Sequence, residues 1–252
     1  MIEKCPNCKG TGFEIRVGDD GVARSSPCGC RLDDRSERLS RAARIPRRYD
    51  HCTLDTFEFQ EPHDPSLKRA TQVARKWLDA WPSVEHGLLL HGTPGTGKTH
   101  LAVAVARELM RAKGAHVLFY EHRKLLKALQ GTFDAASPQR EADVLRPVIE
   151  AEVLILDDLG AGRITAWNRE VLHDVIVGRY NEVRPLIITT NHVIDSEPEK
   201  ASNRSAPLVD EPLTLKHRLG DALMSRLYEM CEVVPMRGKD YRIWVGQHSR
   251  FG

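Results

Sequence analysis

The stretch LLLHGTPGTGKTHLAVAVARELM restricts the fold more than any other part of the chain. Leu88 to Leu90 read as a buried strand, and Gly92, Gly97, Lys98 and Thr99 satisfy G-x4-G-K-[ST]. Leu101, Val105 and Leu109 then recur at helical spacing. Strand, glycine-rich loop and helix in this order build a cradle for phosphate. Glycines let backbone amides close around phosphate oxygens, and the helix start adds the positive end of its dipole. Gly92, Thr93, Pro94, Gly95, Thr96, Gly97, Lys98, Thr99 and His100 are therefore the expected ATP-binding residues. Lys98 would reach the β and γ phosphates, and Thr99 would ligate Mg2+.

Two further strand ends belong to the same pattern. VLILDDLG carries the apolar run Val153 to Leu156 and ends in two carboxylates, as a buried parallel strand beside a phosphate loop should. Asp157 is the expected Mg2+ ligand and Asp158 the group that orients the attacking water. The plainer alternative is a strand end capped by solvated acids. PLIITTNHV supplies a third strand, Leu186 to Ile188, followed by Thr189, Thr190 and Asn191, which suit a γ-phosphate sensor or ordinary turn chemistry. AHVLFYE reads as another strand, with helices around Arg123–Gln130, Val144–Glu150 and Trp167–Tyr180. Strands alternating with helices imply an α/β fold, a parallel sheet covered on both faces with its site at the carboxyl ends.

Four of the six cysteines, Cys5, Cys8, Cys28 and Cys30, lie in the first thirty residues. Cys-x2-Cys lets two thiolates from one turn reach one ion, and Gly29 can bend the second pair toward it. A Zn2+ site is expected over a disulfide, and four thiolates would also accept iron. CPNCKGTG is similar to one copy of the CxxCxGxG repeat of the DnaJ zinc module. Cys52 and Cys231 stand alone and read as buried small apolar residues.

GKTHLA, LILDDLG, RYNEVRPLIITTN and a later SRL together resemble the DnaC/DnaI helicase-loader and IstB transposition-helper branch of the AAA+ ATPases. The lead-in IPRRYDHCTLDTFEF, with Pro46, Tyr49 and Phe57, resembles the same branch, so the likeness covers roughly residues 45 to 245. It implies a three-layer AAA+ P-loop fold without a carboxyl-terminal lid domain, and a homo-oligomer in the ATP state. A neighbouring subunit would then supply Arg226 as an arginine finger, and Arg242, with Arg237 as its rival, would sense nucleotide. Position 158 is Asp where many motor ATPases carry Glu. The expected division is a zinc module and basic linker at 1–45 and the ATPase at 46–252. Residues 195–213, rich in Ser, Pro, Glu and Asp, read as a long loop of undecided role.

A formal charge of +2 leaves any nucleic-acid contact to local patches. Arg38, Arg41, Arg44, Arg47 and Arg48 form one, unless they are a solvated linker. Tyr120, Arg123, Lys124 and Lys127 form another, unless Leu125, Leu126 and Leu129 simply make that segment an amphipathic helix. Lys4, Lys9 and Glu14 break the first apolar stretch, so no leader, no membrane partner and a cytoplasmic setting are expected. DnaI-type loaders carry a zinc-bearing helicase-binding domain, so the resemblance favours a loader acting on a replicative DNA helicase and single-stranded DNA. The alternatives are an IstB-like helper that oligomerises on duplex DNA and recruits a transposase, and a zinc-dependent regulator that binds ATP without turnover.

Overall fold

A computed structural model of the chain describes residues 5–17, 21–58, 64–134, 138–194 and 214–248. Residues 195–213, read from the sequence as a loop, lie outside the described residues. The chain begins with an antiparallel pair, β1 (Phe13–Val17) and β2 (Ala23–Pro27), followed by helix α1 (Gly29–Ala42). Of the arginine-rich stretch that read as a linker, Arg38 and Arg41 lie in the second half of α1, and Arg44, Arg47 and Arg48 follow it. Helix α2 (Pro65–Ala80) starts where Asp64 accepts a hydrogen bond from the Ser66 amide at 2.8 Å and Pro65 needs no donor.

The sheet comprises β3 (Gly87–His91), β4 (Val117–Glu121), β5 (Val153–Asp157), β6 (Leu186–Thr190) and β7 (Cys231–Pro235). Their order is β4-β5-β6-β3-β7, with every neighbouring pair parallel. Alternation along the strands feeds two cores. Leu88, Leu90, Val153, Ile155 and Ile187 face α2 and α3 (Lys98–Glu108). Leu89, Leu154, Leu156, Leu186 and Ile188 face α4 (His122–Gly131), α5 (Glu141–Glu150) and α6 (Ala166–Asn181). On this face the short α7 (Leu215–Leu219) and α8 (Asp221–Met230) add Leu215, Leu223 and Leu227. Because both faces are covered, β3, β4, β5 and β6 are apolar up to their carboxyl ends, whereas the edge strand β7 carries the exposed Glu232. This is the three-layer α/β arrangement that the sequence implies.

Arg179 was not anticipated as a structural residue. It is fully buried in α6, and its guanidinium donates to the carbonyls of Val148, Ile149, Ala151 and Pro185 at 2.7–3.0 Å. The end of α5 thereby acquires donors that its own backbone cannot provide.

Hydrogen bonds as well as the packing of Leu39 tie α1 and the residue after it to the sheet and its helices. Arg35 donates to the Gly114 carbonyl at 3.0 Å, and the Phe119 amide of β4 donates to the buried Ala43 at 2.8 Å. Helix α3 runs directly into a π turn, Leu109–Lys113, and α1 packs against that turn. After β7 a single short helix, α9 (Tyr241–His248), follows among the described residues. No helix among them is long and apolar enough to cross a membrane.

Candidate functional site

A cleft of about 620 Å³ opens where the phosphate loop meets the ends of β5 and β6. Its shape begins with backbone conformations that only glycine supplies without strain. Gly92 has φ +148°, and a Cβ there would lie 1.9 Å from the Met236 carbonyl oxygen. Gly97, at φ +90°, opens α3, and a Cβ on it would lie 2.6 Å from the Phe57 ring. The loop is thus clasped by β7 on one side and by the lead-in segment on the other.

Lys98 is buried, and its ammonium donates to the carbonyls of Gly92 and Thr93 at 2.9 and 2.7 Å. Burial brings its pKa down to about 8, while the nearby carboxylates of Asp158 and Asp157 work against that shift. Thr99 Oγ1 and Thr189 Oγ1 both donate to Asp157 Oδ1, at 2.8 and 2.7 Å. Burial raises the Asp157 pKa and these two hydrogen bonds oppose the rise. Octahedral Mg2+ with ligands at about 2.05 Å places adjacent oxygens about 2.9 Å apart. The Thr99–Asp157 separation fits one such edge.

Asp158 sits at φ +56°, a left-handed conformation that non-glycine residues seldom adopt. Its amide donates to Thr189 Oγ1 at 2.9 Å, and Asn191 Nδ2 donates to its Oδ1 at 2.8 Å. Asp158 is therefore held at its backbone by Thr189 and at its carboxylate by Asn191, both from the segment that ends β6. Thr190 donates to the Leu159 carbonyl at 2.7 Å and locks that segment to the one after β5.

The chain end closes the cleft. The Tyr241 amide donates to the Gly95 carbonyl at 3.1 Å, and Thr93 donates to that of Gly238 at 3.2 Å. Tyr241 Oη reaches Glu58 at 2.6 Å, so α9 and the lead-in segment meet across the opening. Arg242 lines the cleft with its guanidinium bonded to both Asp240 oxygens at 3.1 and 3.0 Å. Arg237 is not among the lining residues and uses its amide to bond Ser66 at 2.8 Å. Of the two arginines, Arg242 is the one that lines the cleft.

Three of the expected residues make contacts of another kind, although His100 still lines the cleft. His100 turns from the loop toward the lead-in segment, with Nε2 3.0 Å from the Thr53 carbonyl. Arg226, half-buried on α8, bonds the Ala222 carbonyl at 3.3 Å and does not line its own chain's cleft. Tyr120 is buried with Arg44 over its ring at 5.0 Å, which removes it as a base-stacking group. Arg123, Lys124 and Lys127 are exposed on α4, whose Leu125, Leu126 and Leu129 are buried.

The four early cysteines converge. Their sulfurs lie within 4.8 Å of one another, with Cys5–Cys28 at 3.8 Å and Cys8–Cys30 at 3.4 Å. Disulfide sulfurs would be about 2.05 Å apart. Tetrahedral thiolates around Zn2+ at about 2.3 Å would be about 3.8 Å apart. The cluster fits the metal geometry. A tight knuckle aims the first pair, with Lys9 at φ +51° and its amide on the Cys5 carbonyl at 2.8 Å. The second pair sits at the start of α1. One feature of this module escaped the sequence reading: Phe13, Ile15 and Val17 share one face of β1 and are 44, 77 and 67% exposed.

The comparisons with known proteins agree with this geometry. Residues 28–249 match the family described as IstB-like ATP binding protein. The insertion-sequence protein Rv3427c of Mycobacterium tuberculosis, named as ATP-binding, is 31% identical over 209 residues, covering 82% of this chain and 74% of its own. The phage-like element PBSX protein XkdC of Bacillus subtilis is 26% identical over 250 residues, covering 95% and 84%. Among solved structures, the DnaC helicase loader is 32% identical with a TM-score of 0.63, covering 76% of this chain and all of the other. The chain belongs to the IstB-like ATP-binding family, the DnaC/IstB branch of the AAA+ P-loop ATPases.

Proposed function

We propose that this ATPase loads a replicative DNA helicase onto single-stranded DNA, with ATP binding assembling the loader and hydrolysis to ADP releasing it. The observation that carries the reading is the cysteine module itself. It presents an apolar strand face, Phe13, Ile15 and Val17, to solvent and stands on a helix packed against the far end of the phosphate-loop helix. An exposed apolar patch held by a metal knuckle suits a protein client better than a phosphate backbone. The likeness to the DnaC helicase loader supports the same choice.

In this reading Lys98 gives up its loop carbonyls for the β and γ phosphates, and Arg242 exchanges Asp240 for phosphate. Mg2+ held by Thr99 and Asp157 would spread the charge of the phosphoryl group. Asp158, fixed by Asn191 and by the Thr189 hydroxyl, orients the attacking water. Arg226 reaches the cleft of a neighbouring subunit, which accounts for its place outside its own. The charge it carries there would stabilise the transferring phosphoryl. Zn2+ at Cys5, Cys8, Cys28 and Cys30 keeps the module folded. Residues 1–45 serve as the client-binding unit and 46–252 as the motor.

Helicase loading onto a closed single-stranded circle bearing an annealed oligonucleotide tests the reading. Strand displacement by the helicase should require this protein and ATP, and should fail with Cys5→Ser/Cys8→Ser. Displacement that is indifferent to the protein refutes loading. A second reading, a transposition helper on duplex DNA, is favoured by the 31% identity to the insertion-sequence protein. ATP-dependent coating of duplex DNA would establish it in place of the first. Binding of ATP with no steady-state hydrolysis would instead favour the regulator.

A further inference from the structure

His51, Cys52 and His100 have no part in the phosphate chemistry, yet their ligating atoms lie within 4.8 Å of one another. We propose that these three residues form a second metal site, separate from the four-cysteine cluster, that takes a Zn2+-class ion and clamps the lead-in segment to the phosphate-loop helix. The donor set selects the ion. Two imidazoles and one thiol suit zinc and its borderline-soft neighbours, whereas Mg2+ and Ca2+ want oxygen.

The geometry needs little adjustment. His51 Nε2 is 3.9 Å from Cys52 Sγ. Nitrogen and sulfur bound to one tetrahedral zinc, at about 2.05 and 2.3 Å, lie about 3.6 Å apart. His51 is exposed and can close the difference by turning its ring. Cys52, itself in the lead-in segment, is 1% exposed and packed into the core, which fixes the sulfur. His100 stands in the first turn of α3, immediately after Thr99. If Nε2–H donates to the Thr53 carbonyl, 3.0 Å away, Nδ1 keeps the free lone pair. A backbone carbonyl orienting an imidazole in this way is the usual outer-shell partner of a metal-bound histidine.

Three protein ligands leave a fourth position. All three residues line the nucleotide cleft, so that position opens toward it and would be filled by water or by a group on a bound molecule. The ion would also act on nucleotide exchange. Phe57 packs edge-on against His100, with ring centroids 5.4 Å apart, and covers Gly97 of the loop. Fixing His100 to residues 51 and 52 fixes Phe57 over the loop. This inference is independent of whether the client is a helicase or a transposase.

The test is zinc content. Full-length protein and His51→Ala are each equilibrated with micromolar zinc, desalted and analysed by inductively coupled plasma mass spectrometry. His51 is exposed, so the variant keeps the fold, and matching thermal melts in zinc-free buffer check this. The expected result is about one zinc per chain fewer in His51→Ala, whatever the four-cysteine cluster holds. Zinc should also slow release of a fluorescent ADP severalfold in the parent protein and leave His51→Ala unchanged. Equal zinc content in the two proteins overturns the site.

Discussion

Lys98 offers a quantitative test of the cleft, because its proton belongs to the nucleotide as much as to the protein. Burial holds its pKa at about 8 in the free protein. A polyphosphate laid against the ammonium restores the ordinary value, about 10.4. Binding must then draw in the missing proton. From the Henderson–Hasselbalch relation the uptake is about 0.1 proton at pH 7, about 0.5 at pH 8 and about 0.9 at pH 9. Affinity should fall about fivefold, or about 1 kcal/mol, between pH 8 and 9, and by a further factor of about seven between pH 9 and 10. Burial moves three neighbouring groups on the cleft wall away from this window. Burial raises Cys52 to about 11 and also raises Tyr49, and His100 is lowered by burial.

The nucleotide-free protein should show the opposite trend. The folded pKa of Lys98 is depressed, so the unfolded chain binds more protons between about pH 8 and 10.5. This residue's penalty is therefore complete below pH 8 and is relieved as pH rises through that window. Calorimetric titration with a non-hydrolysable ATP analogue and excess Mg2+, in two buffers of different ionisation enthalpy, measures the uptake directly. Uptake below about 0.2 proton at pH 9 together with unchanged affinity between pH 8 and 9 would refute a buried, charge-suppressed Lys98.

Other substitutions separate binding, chemistry and structure. Lys98→Ala should abolish nucleotide binding, whereas Arg226→Ala should spare binding and remove turnover; equal loss of both from Arg226→Ala rules out a finger acting between subunits. Thr189→Val keeps the shape but removes the donor to Asp157 and the acceptor for the Asp158 amide. One such bond to a charged group is worth about 1.5–3 kcal/mol, so kcat should drop about 10- to 100-fold with little change in KM; an unchanged kcat would remove Thr189 from the machinery. Gly92→Ala drives a methyl to 1.9 Å from the Met236 carbonyl at φ +148°. A loss of about 3 kcal/mol is expected, seen as a melting temperature lower by on the order of 10 °C, and a wild-type melt would show that the loop is not clasped by β7.

The sequence revealed most where the chemistry is local. Gly92 to Thr99 declare themselves because strand, loop and helix are contiguous, and Asp157 and Asp158 because they end an unbroken apolar run. Cys5, Cys8, Cys28 and Cys30 are brought together by a hairpin whose two strands lie between the pairs, so short-range spacing sufficed. What escaped notice depends on distant partners. Residues 231–235 are too mixed in character to read as a strand, and β7 exists because β3 offers it a parallel edge. The arginine-rich stretch looked like a linker because its sequence is polar, while its helix is anchored by single contacts such as Arg35 to Gly114. Asp240 shows no motif at all. Its place on Gly95, and hence its hold on Arg242, follows from a chain end folding back over the loop. Tyr120 looked available for stacking because periodicity on a strand covered on both faces does not say which aromatics are exposed.

The loader reading rests on a nucleotide-dependent complex with a helicase. Native mass spectrometry of the purified protein with the host's replicative helicase, in ATP and separately in ADP, measures that complex and its stoichiometry together. A mixed complex is expected in ATP, weakened in ADP and lost with Cys5→Ser/Cys8→Ser. No mixed complex in either nucleotide, with the protein folded and ATP bound, would contradict it.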